Sequence, residues 1–120
     1  MSAPRVLVVD DSPLVTEALG VLLDAVGYRA AAAGSVAEAV AAVRASAPAA
    51  VLLDLTLPDG DGLSVLAQLG DAAPATLALT GHDDPETAAR CLAAGCRAVL
   101  VKPVRSADLL RALAEAGVPA

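Results

Sequence analysis

The chain has 120 residues, enough for one domain with a single hydrophobic core. Its net charge of −6 and its single aromatic residue, Tyr28, exclude the basic surface and the stacking platform that direct nucleic-acid binding needs. Although 57% of the residues are hydrophobic, charges, glycines and prolines interrupt every apolar run before the roughly 20 residues that a membrane span requires. Because the first residues also lack a signal-peptide pattern, we expect a cytoplasmic protein that does not enter a membrane.

Residues 5–9 form the first short apolar run, and their valines predict a buried strand. The next helix is predicted to begin at Pro13, with Ser12 as its N-cap, and to end near Val26, before Gly27. Helical periodicity puts four apolar residues of this helix on one stripe: Leu14, Ala18, Leu22 and Val26.

Residues 28–33 predict a second strand, although their alanines favour a strand only weakly. Ser35 and Glu38 have the spacing of a capping box, which predicts a helix that ends before Pro48. The uninterrupted apolar run 50–53 predicts a strand buried on both faces.

The second half of the chain continues the alternation of helices and strands. The predicted elements are a helix over 63–69 closed by Gly70, a strand over 75–79, a helix from Pro85 to about Ala94 capped by Asp84, a strand over 98–101, and a last helix capped by Ser106. Five strands alternating with five helices predict a doubly wound α/β domain with a parallel sheet.

Polar side chains directly follow four of the five predicted strands. They are Asp10 and Asp11, Asp54, Thr80 and Lys102, the last being the only lysine in the chain. Any one of them could simply cap a turn. Because parallel strands end at the same edge of the sheet, however, the whole set is expected to meet there and form a site.

Three clustered carboxylates repel one another and remain ionised only if a cation lies among them. An acidic site of oxygen ligands suits Mg²⁺. With Asp54 as nucleophile, Thr80 as hydroxyl donor and Lys102 as point charge, the set fits phosphoryl transfer onto a carboxylate.

Other interpretations of the same motifs are weaker. The run 59–62, Asp-Gly-Asp-Gly, imitates the signature of a haloacid-dehalogenase-type phosphatase and part of a calcium loop. It does not follow a strand directly, however, and the bidentate glutamate of an EF-hand is missing. A flavin site would need more aromatic residues. Cys91 and Cys96 have neither zinc-site nor CxxC spacing, which favours two reduced, buried thiols.

Four motifs make the sequence resemble the receiver domain of two-component response regulators. They are VLVVDDS (6–12), LLDLTLPDGDG (52–62), LTG (79–81) and VKP (101–103). The resemblance covers about residues 5–116, so 1–120 is expected to be one receiver domain. It implies a flavodoxin-like fold, a five-stranded parallel sheet in the order 2-1-3-4-5 with five helices.

The resemblance also implies roles for the residues at the sheet edge. Asp54 would be the phosphoacceptor, and Mg²⁺ would be held by Asp10, Asp11, Asp54 and the backbone carbonyl of Thr56. Thr80 would move toward the phosphoryl group, and Lys102 would bridge to it. Pro103 would follow a cis peptide bond. Such a domain catalyses its own phosphorylation and dephosphorylation but is not a turnover enzyme. The implied partners are a sensor histidine kinase or phosphotransfer protein, and a downstream target or a missing C-terminal output domain.

Three residues depart from patterns common in that family. Gly81 stands where many members have alanine or serine, Val99 where many have tyrosine or phenylalanine, and Arg97 where many have an acidic residue. Valine cannot make the inward swing of an aromatic ring. We therefore expect phosphorylation to rearrange the loop 81–85 rather than the face around Val99. The alternative is a receiver-like module that binds proteins without phosphorylation.

Overall fold

The computed structural model describes residues 3–120 of the chain. Five parallel strands form one sheet: β1 (Arg5–Val9), β2 (Arg29–Ala33), β3 (Ala50–Asp54), β4 (Ala75–Thr80) and β5 (Ala98–Val101). Their order is β2-β1-β3-β4-β5, which confirms the doubly wound, flavodoxin-like arrangement. The alanines of β2 form a strand because they pair in register with β1, so tertiary pairing outweighs their low strand propensity.

Five helices cover the two faces of the sheet. They are α1 (Pro13–Ala25), α2 (Val36–Ser46), α3 (Ser64–Leu69), α4 (Pro85–Ala93) and α5 (Ser106–Glu115). One buried cluster joins α2, α3 and α4 to the sheet, and a second joins α1 and α5 to its other face. Within the described residues, no helix combines the length and the apolar character needed to cross a membrane.

The capping predictions had mixed outcomes. Ser35 accepts a hydrogen bond from the Glu38 N–H and Asp84 accepts one from the Thr87 N–H, which confirms both caps. Ser12 occupies the N-cap position of α1, but its side chain makes no capping bond. The prediction for Ser106 was wrong, because Ser106 is the first residue of α5 and the N-cap position belongs to the residue before it.

Helix α1 buries only part of the stripe that its periodicity suggested, since Leu22 packs against the core and the other three residues are exposed. Leu14 is 80% exposed, whereas Leu23 is fully buried against the sheet and Leu19 packs beside it. The sequence supports more than one apolar face on this helix, and packing against β1 and β2 selects the face of Leu23. An apolar side chain therefore remains uncovered at the start of α1, next to the carboxyl edge of the sheet.

A two-strand hairpin not foreseen from the sequence follows β3. It pairs Thr56–Leu57 with Gly60–Asp61, and a bond from the Gly62 N–H to the Leu55 carbonyl, 2.8 Å, closes its base. A Cβ atom on Gly62 would lie 2.0 Å from the Asp54 carbonyl oxygen, so only glycine fits there. The hairpin thus begins directly at the end of the central strand.

Candidate functional site at the carboxyl edge of the sheet

The five side chains singled out at the strand ends share one edge of the sheet. Asp10 and Asp54 are buried, at 3% and 8% exposure, and Thr80 is buried beside them. Asp11 is exposed to solvent. The strands deliver these residues to one place because all five run parallel and β1, β3 and β4 are adjacent in the sheet.

One carboxylate oxygen from each of Asp10, Asp11 and Asp54 lies within 4.8 Å of the others. Oxygen atoms at this spacing can share one small divalent cation. The Lys102 ammonium contacts two of these three carboxylates, which leaves an excess of negative charge for the cation to neutralise. The donor set therefore fits a site typical of Mg²⁺. The contacts of the Thr56 carbonyl do not test its predicted role, which stays a prediction.

The Lys102 ammonium lies between two of these carboxylates. Its Nζ donates to Asp10 Oδ2 at 3.0 Å and lies 3.5 Å from Asp54 Oδ2. Partial burial by itself lowers the pKa of Lys102, but the hydrogen bond to Asp10 and the charge of Asp54 outweigh that effect and leave the pKa raised. The lysine therefore stays charged. The peptide bond between Lys102 and Pro103 is cis, as the resemblance implied.

Asp54 combines burial with access to a cation. Burial has the largest influence and raises the pKa of its carboxyl, while the N–H of Thr56, 3.3 Å from Asp54 Oδ1, and the charge of Lys102 oppose the rise. A carboxylate that is poorly hydrated and more basic than usual is a better nucleophile when it is ionised. Its place on β3 holds it rigidly at the mouth of the site.

Thr80 has its hydroxyl engaged with the loop that follows β4. Thr80 Oγ1 accepts a hydrogen bond from the His82 N–H at 3.0 Å. Because the hydroxyl oxygen accepts this bond, its hydrogen remains able to point to another acceptor. Any movement of the Thr80 side chain thus bears directly on the backbone of the loop 81–85.

Asp59 and Asp61 lie apart from this cluster and have other partners. Asp59 accepts hydrogen bonds from the N–H groups of Val36 and Ala37, at 2.8 and 3.1 Å, and so caps α2 from the hairpin. These bonds lower the pKa of the Asp59 carboxyl. Asp61 forms an ion pair with Arg90 of α4. Both aspartates therefore fasten the hairpin to helices, which argues against the phosphatase and calcium-loop interpretations.

The roles of Asp59 and Leu14 were not visible in the sequence. Asp59 lies 23 residues from Val36, whose N–H it binds, so no local pattern could connect the two. Leu14 belongs to an apolar stripe, and only packing shows that it lines an open groove of about 560 Å³ with Ala18, Lys102 and Val104. The groove opens beside the acidic cluster, because Lys102 lines the groove and donates to Asp10 of the cluster.

Comparison with known proteins gives a uniform result. The model of the response regulator receiver domain family matches residues 6–114. The positive alginate biosynthesis regulatory protein of Pseudomonas aeruginosa is 41% identical, over 96% of this chain and 48% of its own length. The DNA-binding transcriptional activator DevR/DosR of Mycobacterium tuberculosis is 36% identical, over 94% of this chain and 54% of its own. This chain therefore spans about half the length of these curated relatives.

Solved structures agree with the sequence relatives. A response regulator receiver domain protein (CheY-like) from Methanospirillum hungatei superposes with a TM-score of 0.88 at 28% identity, covering 95% of this chain and 93% of that one. A two-component response regulator of the LuxR family from Aurantimonas gives 0.87 at 30% identity, covering 98% and 88%. The family match, the strand order and the three clustered aspartates lead to one conclusion: the chain belongs to the response regulator receiver domain family and is a signalling module rather than a turnover enzyme.

Proposed function

We propose that the chain receives a phosphoryl group on Asp54 from a sensor histidine kinase or phosphotransfer protein and passes the signal on through a protein surface. The observation that carries this proposal is the position of Asp54: it is buried at the end of the central strand, 3.5 Å from the Lys102 ammonium and within reach of two further carboxylates. The receiver unit is proposed to comprise about residues 5–116.

Asp54 acts in this proposal as the nucleophile. A carboxylate oxygen of Asp54 attacks phosphorus, the bond from phosphorus to the donor nitrogen breaks, and the imidazole leaves. The transfer depends mainly on in-line positioning and on neutralising charge. The rigid end of β3 supplies the positioning, and Lys102 supplies a positive charge that can approach the transferred group.

Asp10 and Asp11, with Asp54 and the Thr56 carbonyl, are the residues that would hold Mg²⁺. When bound, the ion neutralises the carboxylates and the oxygens of the transferred phosphoryl group. Asp10 is fixed in place by the Ser12 N–H, which donates to its Oδ1 at 2.9 Å, and by the Lys102 ammonium on its other oxygen. Asp11 remains exposed and is free to adjust.

Thr80 is proposed to report the modification. Its hydroxyl would donate to a phosphoryl oxygen, a charge-assisted hydrogen bond that is stronger than a neutral one. Since Thr80 Oγ1 already accepts from the His82 N–H, a shift of this side chain would pull on the loop 81–85. Gly81 gives that loop backbone freedom, because glycine has no Cβ to restrict its backbone angles.

The groove beside the site is the surface on which we propose that the phosphodonor docks. Leu14 is 80% exposed there. It lies with Ala18, Pro103 and Val104 around an opening that reaches Lys102. A donor helix whose apolar residues cover Leu14 would bring a phosphohistidine to Asp54 without entering the buried site. This proposal places the chain in the cytoplasm, together with a downstream target or an output domain.

Phosphorylation by a small donor tests the proposal. The protein would be incubated with acetyl phosphate and Mg²⁺, and its intact mass measured. We expect a gain of one phosphoryl group, which the Asp54→Asn variant should lack. The control variant Asp71→Asn, which changes an exposed acid outside the acidic cluster, should gain the group as the wild type does. Equal uptake by the Asp54→Asn variant would overturn the assignment. No uptake by the wild type would favour the phosphorylation-independent binding module.

A further inference from the structure

Two thiols occupy the two ends of the cap that terminates α4. The Cys96 N–H donates to the Cys91 carbonyl at 3.0 Å, and the Gly95 N–H donates to the Leu92 carbonyl at 3.1 Å. Gly95 has a φ of +108°, so this pair of bonds forms a Schellman motif. That motif commonly brings the side chains at these two positions together, and here the Cys91 and Cys96 thiols are in hydrogen-bond contact. The cap therefore brings the only two cysteines of the chain together.

The two side chains share one buried environment. Cys91 is 0% exposed and Cys96 is 5% exposed, and both belong to the core cluster beneath α2, α3 and α4. Both are free thiols. Burial raises the pKa of Cys96 to about 12, and the neighbouring Cys91 thiol, in hydrogen-bond contact, adds to the rise. Neither thiol has a role in the phosphoryl-transfer site.

We propose that Cys91 and Cys96 form a modification site, an intramolecular disulfide that links the last turn of α4 to the residue two positions before β5. The oxidant would be hydrogen peroxide. One sulfur attacks a peroxide oxygen, the O–O bond breaks, and a sulfenic acid and one water form. The second sulfur attacks the first, the S–O bond breaks, and a second water leaves. Two thiols are oxidised, and both peroxide oxygens are reduced to water.

Burial sets the rate of this reaction in both directions. The thiolate is the species that attacks, and the raised pKa of each thiol keeps both protonated while the cap is closed. Oxidation must therefore wait for the end of α4 to open, and the buried disulfide must be equally slow to meet a reductant. The disulfide would therefore form slowly and, once formed, would be reduced slowly.

The disulfide would lie in the connection between α4 and β5. Helix α4 begins five residues after Thr80, and β5 ends directly before Lys102, so the bond would lie in the segment between these two site residues. The Arg97 N–H already ties this segment to β4 through the Thr76 carbonyl, at 2.7 Å. Oxidation would make the connection from α4 to β5 stiffer.

Tryptic mapping of the whole protein tests the proposal. Trypsin cleaves after Arg90 and Arg97, so both cysteines fall in the single peptide 91–97. The folded protein would be treated with hydrogen peroxide at neutral pH, denatured, alkylated with iodoacetamide and digested. We expect the peptide to carry no alkyl group and to be two hydrogen atoms lighter than its reduced form. If the protein is first reduced with dithiothreitol, both cysteines should be alkylated.

Melting temperature gives a second measurement on the same samples. The disulfide should raise it by about 5 °C in the wild type. Cys91→Ala and Cys96→Ala, treated in the same way, should show no rise. The Asp54→Asn variant should oxidise as the wild type does, so this result is independent of the proposed phosphorylation.

Three results would overturn the proposal. One is a peptide 91–97 that is fully alkylated after the peroxide treatment. The second is sulfinic acid or a disulfide between two chains as the main product. The third is a bond that forms only when the chain is unfolded in urea, since the folded cap would then not support it.

Discussion

Lys102 donates a hydrogen bond to Asp10, at 3.0 Å, and lies farther from the nearby Asp54, at 3.5 Å. The one lysine of the chain is thus held by a carboxylate of the acidic pair while the proposed phosphoacceptor has the weaker contact. A cation bound by Asp10 would compete with Lys102 for that carboxylate, and a phosphoryl group on Asp54 would attract the ammonium. Both events favour transfer of Lys102 from Asp10 toward Asp54.

Lys102→Arg tests whether the shape of this cation matters. The planar guanidinium keeps the charge but cannot fit between Asp10 and Asp54 as a compact ammonium does. We expect the variant to fold and to accept phosphate from acetyl phosphate, and to lose at least about tenfold in the binding of a phosphorylation-dependent partner. Intact mass and a binding titration measure the two properties. A variant that equals the wild type in both would refute the proposed bridge.

Asp54→Asn is expected to stabilise the metal-free protein at neutral pH. The pKa of Asp54 is higher in the folded protein than in the unfolded chain. Between these two pKa values, the folded protein therefore holds a proton that the unfolded chain has lost, and stability falls as pH rises. Ionised Asp54 therefore lowers stability above this window, and asparagine removes the cost. Lys102 keeps Asp10 as its partner in the variant.

Thermal melts in EDTA at several pH values measure this effect. The variant should melt a few degrees higher than the wild type at pH 7, and the two curves should converge below the ordinary aspartate pKa of about 4. If Asp54→Asn were less stable at pH 7 and more stable in acid, the direction assigned to the pKa shift would be incorrect.

Mg²⁺ should stabilise the fold by binding to the acidic cluster. A ligand at one hundred times its Kd adds about 2.7 kcal/mol to the free energy of unfolding. We expect the melting temperature of the wild type to rise with millimolar Mg²⁺ and that of Asp11→Ala to rise much less. Asp71→Ala, which changes an acid outside the cluster, should respond as the wild type does. Equal responses in Asp11→Ala and the wild type would remove Asp11 from the metal site.

Amide exchange with and without beryllofluoride, an acyl-phosphate mimic, locates the conformational response. Because Thr80 Oγ1 holds the His82 N–H, and Val99 has one stiff rotatable bond, we expect changes over 81–85 and the start of α4. Strand β5 should change little. If exchange changed only at residues 98–101 and not in the loop 81–85, the face around Val99 would instead be the part that responds to phosphorylation.

The alternation of strands and helices, and the edge at which the polar residues meet, could be predicted from the sequence. This was possible because β1, β3 and β4 are short, mainly apolar runs that lead directly to Asp10, Asp54 and Thr80. Parallel strands must end on one side, so the location of the site follows from local pattern and topology. The family resemblance supplied the strand order, which the structure confirms.

The contacts between individual groups could not be predicted in this way and depend on the packing of the whole fold. Local pattern could not predict that Asp59 would cap α2 from 23 residues away. It could not predict that Lys102 would prefer Asp10, which is 92 residues distant. The exposure of Leu14 depended on which of several apolar faces of α1 packed against the sheet. These contacts join residues far apart in the chain, and their free energies depend on packing and burial that no local window of sequence contains.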